Sequence, residues 1–139
     1  MVLGEKLWEE KGKVVGMSIK SIGPEGVRME QTFTSTTKGF GRGRNLNGAN
    51  MGTIDIVAAP DGSHTGSGQG IWTSQAGEMV AWNMYFLGKS KAGKIRGLAI
   101  IKWMTTSKKL AWMNGVIAAA ETINDMKTME GTATGYEWK

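Results

Sequence analysis

Few side chains in this sequence combine a reactive type with a setting that would make them useful. Glu121 alternates onto the same strand face as Met113, Ile117, Ala119 and Ile123, and Asn83 onto that of Met79, Ala81, Tyr85 and Leu87. A carboxylate turned into an apolar interior must find a partner or change its protonation, which suits it to acid/base work or to anchoring a ligand. Asn83 would then serve as a hydrogen-bond donor beside it. Trp72, Trp82, Trp103 and Tyr85 would supply the aromatic wall of such a pocket. Asp55 and Lys102 are also flanked by apolar residues. A strand has two faces, however, and any of these groups can instead face water, or pack as core or as an interface.

Other constellations fall short of a known chemistry. Lys38-Gly39-Phe40-Gly41 opens like an RNA-recognition signature, but Arg42-Gly43-Arg44-Asn45 stands where aromatic and aliphatic residues should follow. Lys38, Phe40, Arg42 and Arg44 therefore form the nucleic-acid alternative, a basic loop able to touch phosphates. The spacing of Gly39, Gly41 and Gly43 does not fit a dinucleotide fingerprint. One histidine, His64 after a Pro-Asp-Gly turn, and no cysteine leave no metal cluster, thiol nucleophile or disulfide framework. His64 reads as an exposed or strand-end residue. No metal and no cofactor are expected.

The elements that must position these residues are strands. The 139 residues include 21 Gly, 10 Met and 6 Trp against 2 Pro, with 40% hydrophobic and 21% charged content, enough for one domain spanning 1–139. Leu3, Leu7 and Trp8 among charged residues predict a short amphipathic helix, so residues 1–11 form an N-terminal segment that plugs a barrel end or stays disordered. From Gly12 the period becomes two. Val27, Met29, Gln31 and Phe33 alternate with Arg28, Glu30, Thr32 and Thr34, and Gly23-Pro24-Glu25-Gly26, Pro60-Asp61-Gly62 and Gln75-Ala76-Gly77 are turns. Further strands are predicted over 48–58, 64–73, 79–87, 94–106, 113–123 and 128–138, with one helical turn near 107–112.

Short connections give up-and-down antiparallel order, and about eight strands close to remove both edges. Gly66, Gly68 and Gly70 on one face with Trp72, and Gly131 with Gly135, permit the coiling that a small barrel needs. The fold class is all-β, an antiparallel up-and-down barrel of about eight strands. The absence of a leader-like or membrane-length apolar run predicts a cytoplasmic protein with no membrane span; tryptophans spread over several strand levels argue against an outer-membrane barrel. The net charge of +5 is scattered among loops.

Gly66-Ser67-Gly68-Gln69-Gly70-Ile71-Trp72, Leu110-Ala111-Trp112-Met113-Asn114-Gly115 and the terminal Tyr136-Glu137-Trp138 resemble the allene-oxide-cyclase-like, calycin-type small barrels. The resemblance runs from about residue 12 to the end and is architectural. It implies a small closed barrel, with no family site residue carried across. The expected function is binding of a small, largely apolar molecule inside the barrel. A cyclase or isomerase using that cavity, or a non-catalytic oligomeric or nucleic-acid-contacting barrel, are the alternatives. Both faces of residues 79–87 are apolar, so further copies of the chain are expected partners, ahead of nucleic acid.

Overall fold

Alternation along each strand sends successive side chains to opposite sides of a wall, and here that wall closes on itself. The computed structural model describes residues 3–139, in which β1 (Leu3–Gly23), β2 (Gly26–Gly39), β3 (Gly48–Ala58), β4 (Ser63–Ser74), β5 (Met79–Lys91), β6 (Lys94–Met104), β7 (Ile117–Asp125) and β8 (Glu130–Trp138) form an antiparallel barrel in chain order. The seam between β1 and β8 completes it, with Trp8 opposite Gly135 and Lys13 opposite Glu130. Short 3-10 turns at Gly41–Gly43 and Ala111–Gly115 are the helical pieces among the described residues. The barrel of eight strands is the architecture read from the sequence.

The N-terminal segment is a correction. Residues 3–11 are not a helix or a loose plug but the first half of β1, hydrogen-bonded to β2 and β8; Met1 and Val2 lie outside the described residues. Irregular pairing between Lys6 and Trp8 lets the consecutive Leu7 and Trp8 both be buried, which imitates helical spacing in the sequence. The helical turn expected near 107–112 begins at Ala111, and the strand after it begins at Ile117 rather than Met113.

Leu7, Leu46, Val80, Leu110 and Met113 are buried at the end carrying both 3-10 turns, and they close it. At the other end, β1 outruns its partner. Its pairing with β8 stops at Lys13, whereas its pairing with β2 continues to Gly23. The stretch from Gly16 to Gly23 is thus an edge above the level where the barrel is closed.

Three inward glycines make room for indoles. A side chain at Gly52 or Gly70 would collide with the Trp82 ring, and one at Gly135 with the Trp8 ring. Each indole therefore lies flat across a neighbouring strand instead of standing into the lumen. Filling that space forces a shift in a close-packed wall, so Gly70→Val is expected to cost about 1–3 kcal/mol. Gly115→Ala, which meets no atom within 4 Å, should change stability by less than about 0.5 kcal/mol. Urea unfolding followed by tryptophan fluorescence measures both.

Candidate ligand-binding site

Inside the barrel, a cavity of about 370 Å³ runs from the floor to the open end. Trp8, Phe33, Trp72, Trp82, Met84, Phe86 and Trp103 dominate its wall. The aromatic contacts are oriented: Trp8 meets Trp103 edge-on at 5.5 Å between ring centroids, and Phe33 tilts against Trp82 at 5.8 Å.

One side of this wall is polar, and it is built from three consecutive strands. Glu10 on β1, Ser35 on β2 and Asn50 on β3 stand on neighbouring registers. Glu10 Oε1 accepts from Trp8 Nε1 at 3.1 Å, while Oε2 accepts from Ser35 Oγ and from Asn50 Nδ2 at 3.3 Å. Asn50 Oδ1 in turn accepts from Trp82 Nε1 at 2.7 Å, across the glycines that let that ring lie flat. Lower in the wall, Thr37 Oγ1 accepts from Trp72 Nε1 at 2.8 Å and donates to Leu46 O at 2.7 Å. The amide orientation of Asn50 follows from this network, with its NH₂ toward the carboxylate and its oxygen toward the indole. Thr122 Oγ1, on a residue that also lines the cavity, is a buried polar atom with no partner.

Each end holds a paired carboxylate. At the floor, Glu137 is buried and pairs with Arg42 Nη1 at 2.6 Å and Lys139 Nζ at 3.6 Å, and Arg42 also lies over the Trp112 ring at 4.8 Å. At the mouth, Asp125 Oδ1 accepts from the Lys127 and Thr128 amides at 2.8 and 3.0 Å, and Oδ2 from Lys94 Nζ at 3.2 Å. The Thr128 amide first, then the Lys127 amide and Lys94, hold the Asp125 carboxyl below the usual aspartate range. Met126 and Met129 from this turn, with Met17 and Met29, rim the opening.

The residues singled out in the sequence divide cleanly. Trp72, Trp82 and Trp103 face inward and line the cavity. Glu121, Asn83 and Tyr85 point outward and are exposed, so they do not join the cavity, and an acid/base role for Glu121 loses its setting. Lys38, Phe40, Arg42 and Arg44 belong to the floor. Phe40 is covered by Lys6 at 4.1 Å and Lys38 at 5.5 Å, Arg42 is spent on Glu137, and Arg44 reaches Gly41 O. His64 sits at the start of β4 but is buried at the cavity wall, its Nδ1 3.1 Å from Gly62 O, and is not an exposed histidine. Glu10, Ser35 and Asn50 escaped notice in the sequence, although Trp8, Glu10 and Gly12 already alternate with Glu9, Lys11 and Lys13.

Among the described residues, no group of three or more His, Cys, Asp or Glu is placed to hold a metal, and no helix is long and apolar enough to cross a membrane. No protein-family model matches the chain, and no curated protein matches it. Solved structures do. A protein of unknown function from Clostridium acetobutylicum superposes with a TM-score of 0.80 at 15% identity, covering 100% of both chains. A beta-barrel like protein from Acinetobacter baumannii gives 0.79 at 14% identity, over 99% of this chain and 96% of that one. An enzyme from Penicillium herquei gives 0.73 at 16% identity, over 96% and 92%. At these identities the likeness establishes the small β-barrel fold and nothing finer.

The mouth turn carries a pH dependence with a definite sign. Because the folded value of Asp125 lies below its unfolded one, its stabilisation is present above the unfolded value of about 3.9 and is lost as pH falls through the lowered folded value. Hydrogen exchange at the Thr128 amide should therefore accelerate, after correction for intrinsic rates, on acidification through that window. In Asp125→Asn this acid-dependent step should disappear.

Proposed function

We propose that this barrel is a binding module for a small, largely apolar molecule held in its lumen. The observation that carries the reading is the cavity itself: about 370 Å³, within the range of roughly 300–1,000 Å³ usual for small-molecule sites. Aromatic and methionine side chains make up much of its wall, and the Glu10, Ser35 and Asn50 cluster lies on one side of it. Flat indoles over glycines leave this lumen open where inward-standing rings would have filled it. Barrels of about eight strands can hold one small ligand or be filled by their own side chains, and the open lumen favours the first. The resemblance to calycin-type barrels points the same way. A cyclase or isomerase in the same fold would draw on Glu10, a carboxylate in the cavity wall, in place of Glu121.

Ala99 offers a test, because it is buried and its methyl group borders the cavity. N-phenyl-1-naphthylamine, an apolar dye that brightens out of water, should bind the purified protein saturably and quench its tryptophans. Ala99→Phe, which puts a ring into the lumen, should weaken that binding about tenfold or more, the loss of a few apolar contacts being worth over 1.4 kcal/mol. Circular dichroism would verify that the barrel persists. A dye that ignores the wild-type protein would overturn the reading.

We propose in addition that copies of the chain associate through the outer wall of β5–β8. Tyr85 lies opposite Ile100, Leu87 opposite Leu98, Ile100 opposite Ala119, and Ala119 opposite Tyr136. Tyr85 is 72% and Leu87 62% exposed, so the β5–β6 part of the patch stands uncovered in the single chain, while Ala119 itself is buried. Lys102 and Glu121 flank it on opposite sides of Ile100, so a two-fold axis through the patch would bring each against the other's counterpart in the second copy. Sedimentation velocity at micromolar concentration should give a dimer that Tyr85→Glu converts to monomer. A wild-type monomer would remove the proposal.

A further inference from the structure

Two carboxylates are turned inside the barrel, and they are neutralised differently. Glu137 at the floor is paired with the guanidinium of Arg42 and approached by Lys139. Glu10, partly buried in the cavity wall, has only the neutral donors Trp8, Ser35 and Asn50, and no described cation lies within ion-pair distance of it. The mouth carboxylate Asp125 has its own lysine, Lys94. Glu10 is thus the interior acid whose charge is met by dipoles alone.

The hydrogen bonds around it are also incomplete in a specific way. An ionised carboxylate offers roughly four lone-pair sites. Oε2 accepts two donors and Oε1 accepts one, so Oε1 keeps an acceptor position. Glu10 lines the cavity that Phe33, Trp82 and Trp103 also line. Ring faces are regions of negative potential, and a cation gains from them most where water is excluded. Carboxylate and rings together favour a positive charge at the level of Glu10, with the lining cation Lys13 standing toward the mouth. A fatty acid or other anionic head would face Glu10 across a poorly screened interior and be repelled.

Resting on the reading of the lumen as a ligand site, we propose that its ligand is an organic amine: an apolar, ring-sized body bearing a protonated nitrogen that donates to Glu10 Oε1. Trp8, Ser35 and Asn50 hold the carboxylate in place before the ligand arrives, so little orientation is lost on binding. The ammonium supplies the positive charge that Glu10 lacks, and the body lies against Trp82, Phe33 and Met84. An ammonium–carboxylate hydrogen bond in such a setting is stronger than a neutral one.

Three probes of one shape test this on the unmodified protein at neutral pH: 2-naphthylmethylamine, 2-naphthylmethanol and 2-naphthoic acid, titrated by isothermal calorimetry. The amine should bind about tenfold or more tighter than the alcohol, as a charge-assisted bond in place of a neutral one implies. The acid should bind least. In Glu10→Gln, which keeps the shape and removes the charge, the preference of amine over alcohol should fall below about twofold, while the alcohol's own affinity changes little. Equal binding of amine and alcohol by the wild-type protein, or an amine preference that survives Glu10→Gln, would overturn the amine assignment while leaving the lumen as a ligand site. Failure of all three probes to bind would overturn the ligand site itself. The wild-type comparison stands whether or not the variant folds.

Discussion

An indole buried in a barrel needs an acceptor for its N–H, and three of the four buried tryptophans find one on the wall. Water cannot supply that acceptor throughout a lumen walled by hydrocarbon, so the wall has to, and an unmet buried donor costs on the order of 1–3 kcal/mol. Trp8 uses Glu10, Trp72 uses Thr37 and Trp82 uses Asn50. All three acceptors stand on β1–β3. That asymmetry makes one side of the lumen polar while β4–β6 contribute glycine, methionine and rings. The lateral placement of Trp82 over Gly52 and Gly70 belongs to the same arrangement, because only a ring lying along the wall can reach an acceptor two strands away. The cavity is what remains when large side chains are spread over the wall instead of stacked across it.

Much of the architecture was legible because alternation and turn chemistry are local. Val27–Phe33 alternates cleanly, and Gly66, Gly68 and Gly70 beside Trp72 announce a curved strand with space reserved on one face. Inward and outward faces were harder. Along β5, Val80, Trp82, Met84 and Phe86 are as apolar as Met79, Ala81, Tyr85 and Leu87, and only closure decides that the first set points in. A one-residue difference in register exchanges the two sets; in the closed barrel Trp82 faces the lumen while Asn83 and Tyr85 face outward. Glu121 illustrates the same limit. Its neighbours Ala118 and Ala120 are buried, Ala120 against the cavity, and an alanine beside a glutamate gives no sign of which of the two faces in.

Glu10 was missed for a different reason. Leu3, Leu7 and Trp8 at near-helical spacing, followed by Glu9, Glu10 and Lys11, satisfy the expectations for an exposed amphipathic helix. The strand reading needs the partners on both sides, β2 and β8, and the second of these lies at the far end of the chain. The site is therefore legible only in tertiary terms: its carboxylate, hydroxyl and amide come from three strands, none of which shows a motif. A polar residue that alternates in step with a tryptophan and a glycine, as Glu10 does with Trp8 and Gly12, is the signal that sequence does offer.

The β1–β8 seam has a consequence for how the molecule opens. The other seven seams join consecutive strands by short connections, except for the longer stretches before β3 and β7, so each closes a small loop. The β1–β8 seam joins Trp8 to Gly135 across nearly the whole chain, and its closure carries the largest loss of chain entropy. Glu10 belongs to that seam, opposite Ala133, and its partners Ser35 and Asn50 lie on the next two strands. Any molecule seated on Glu10 would therefore favour the zipped seam over the unzipped one, and by mass action its concentration would be linked to partial unfolding of the wall.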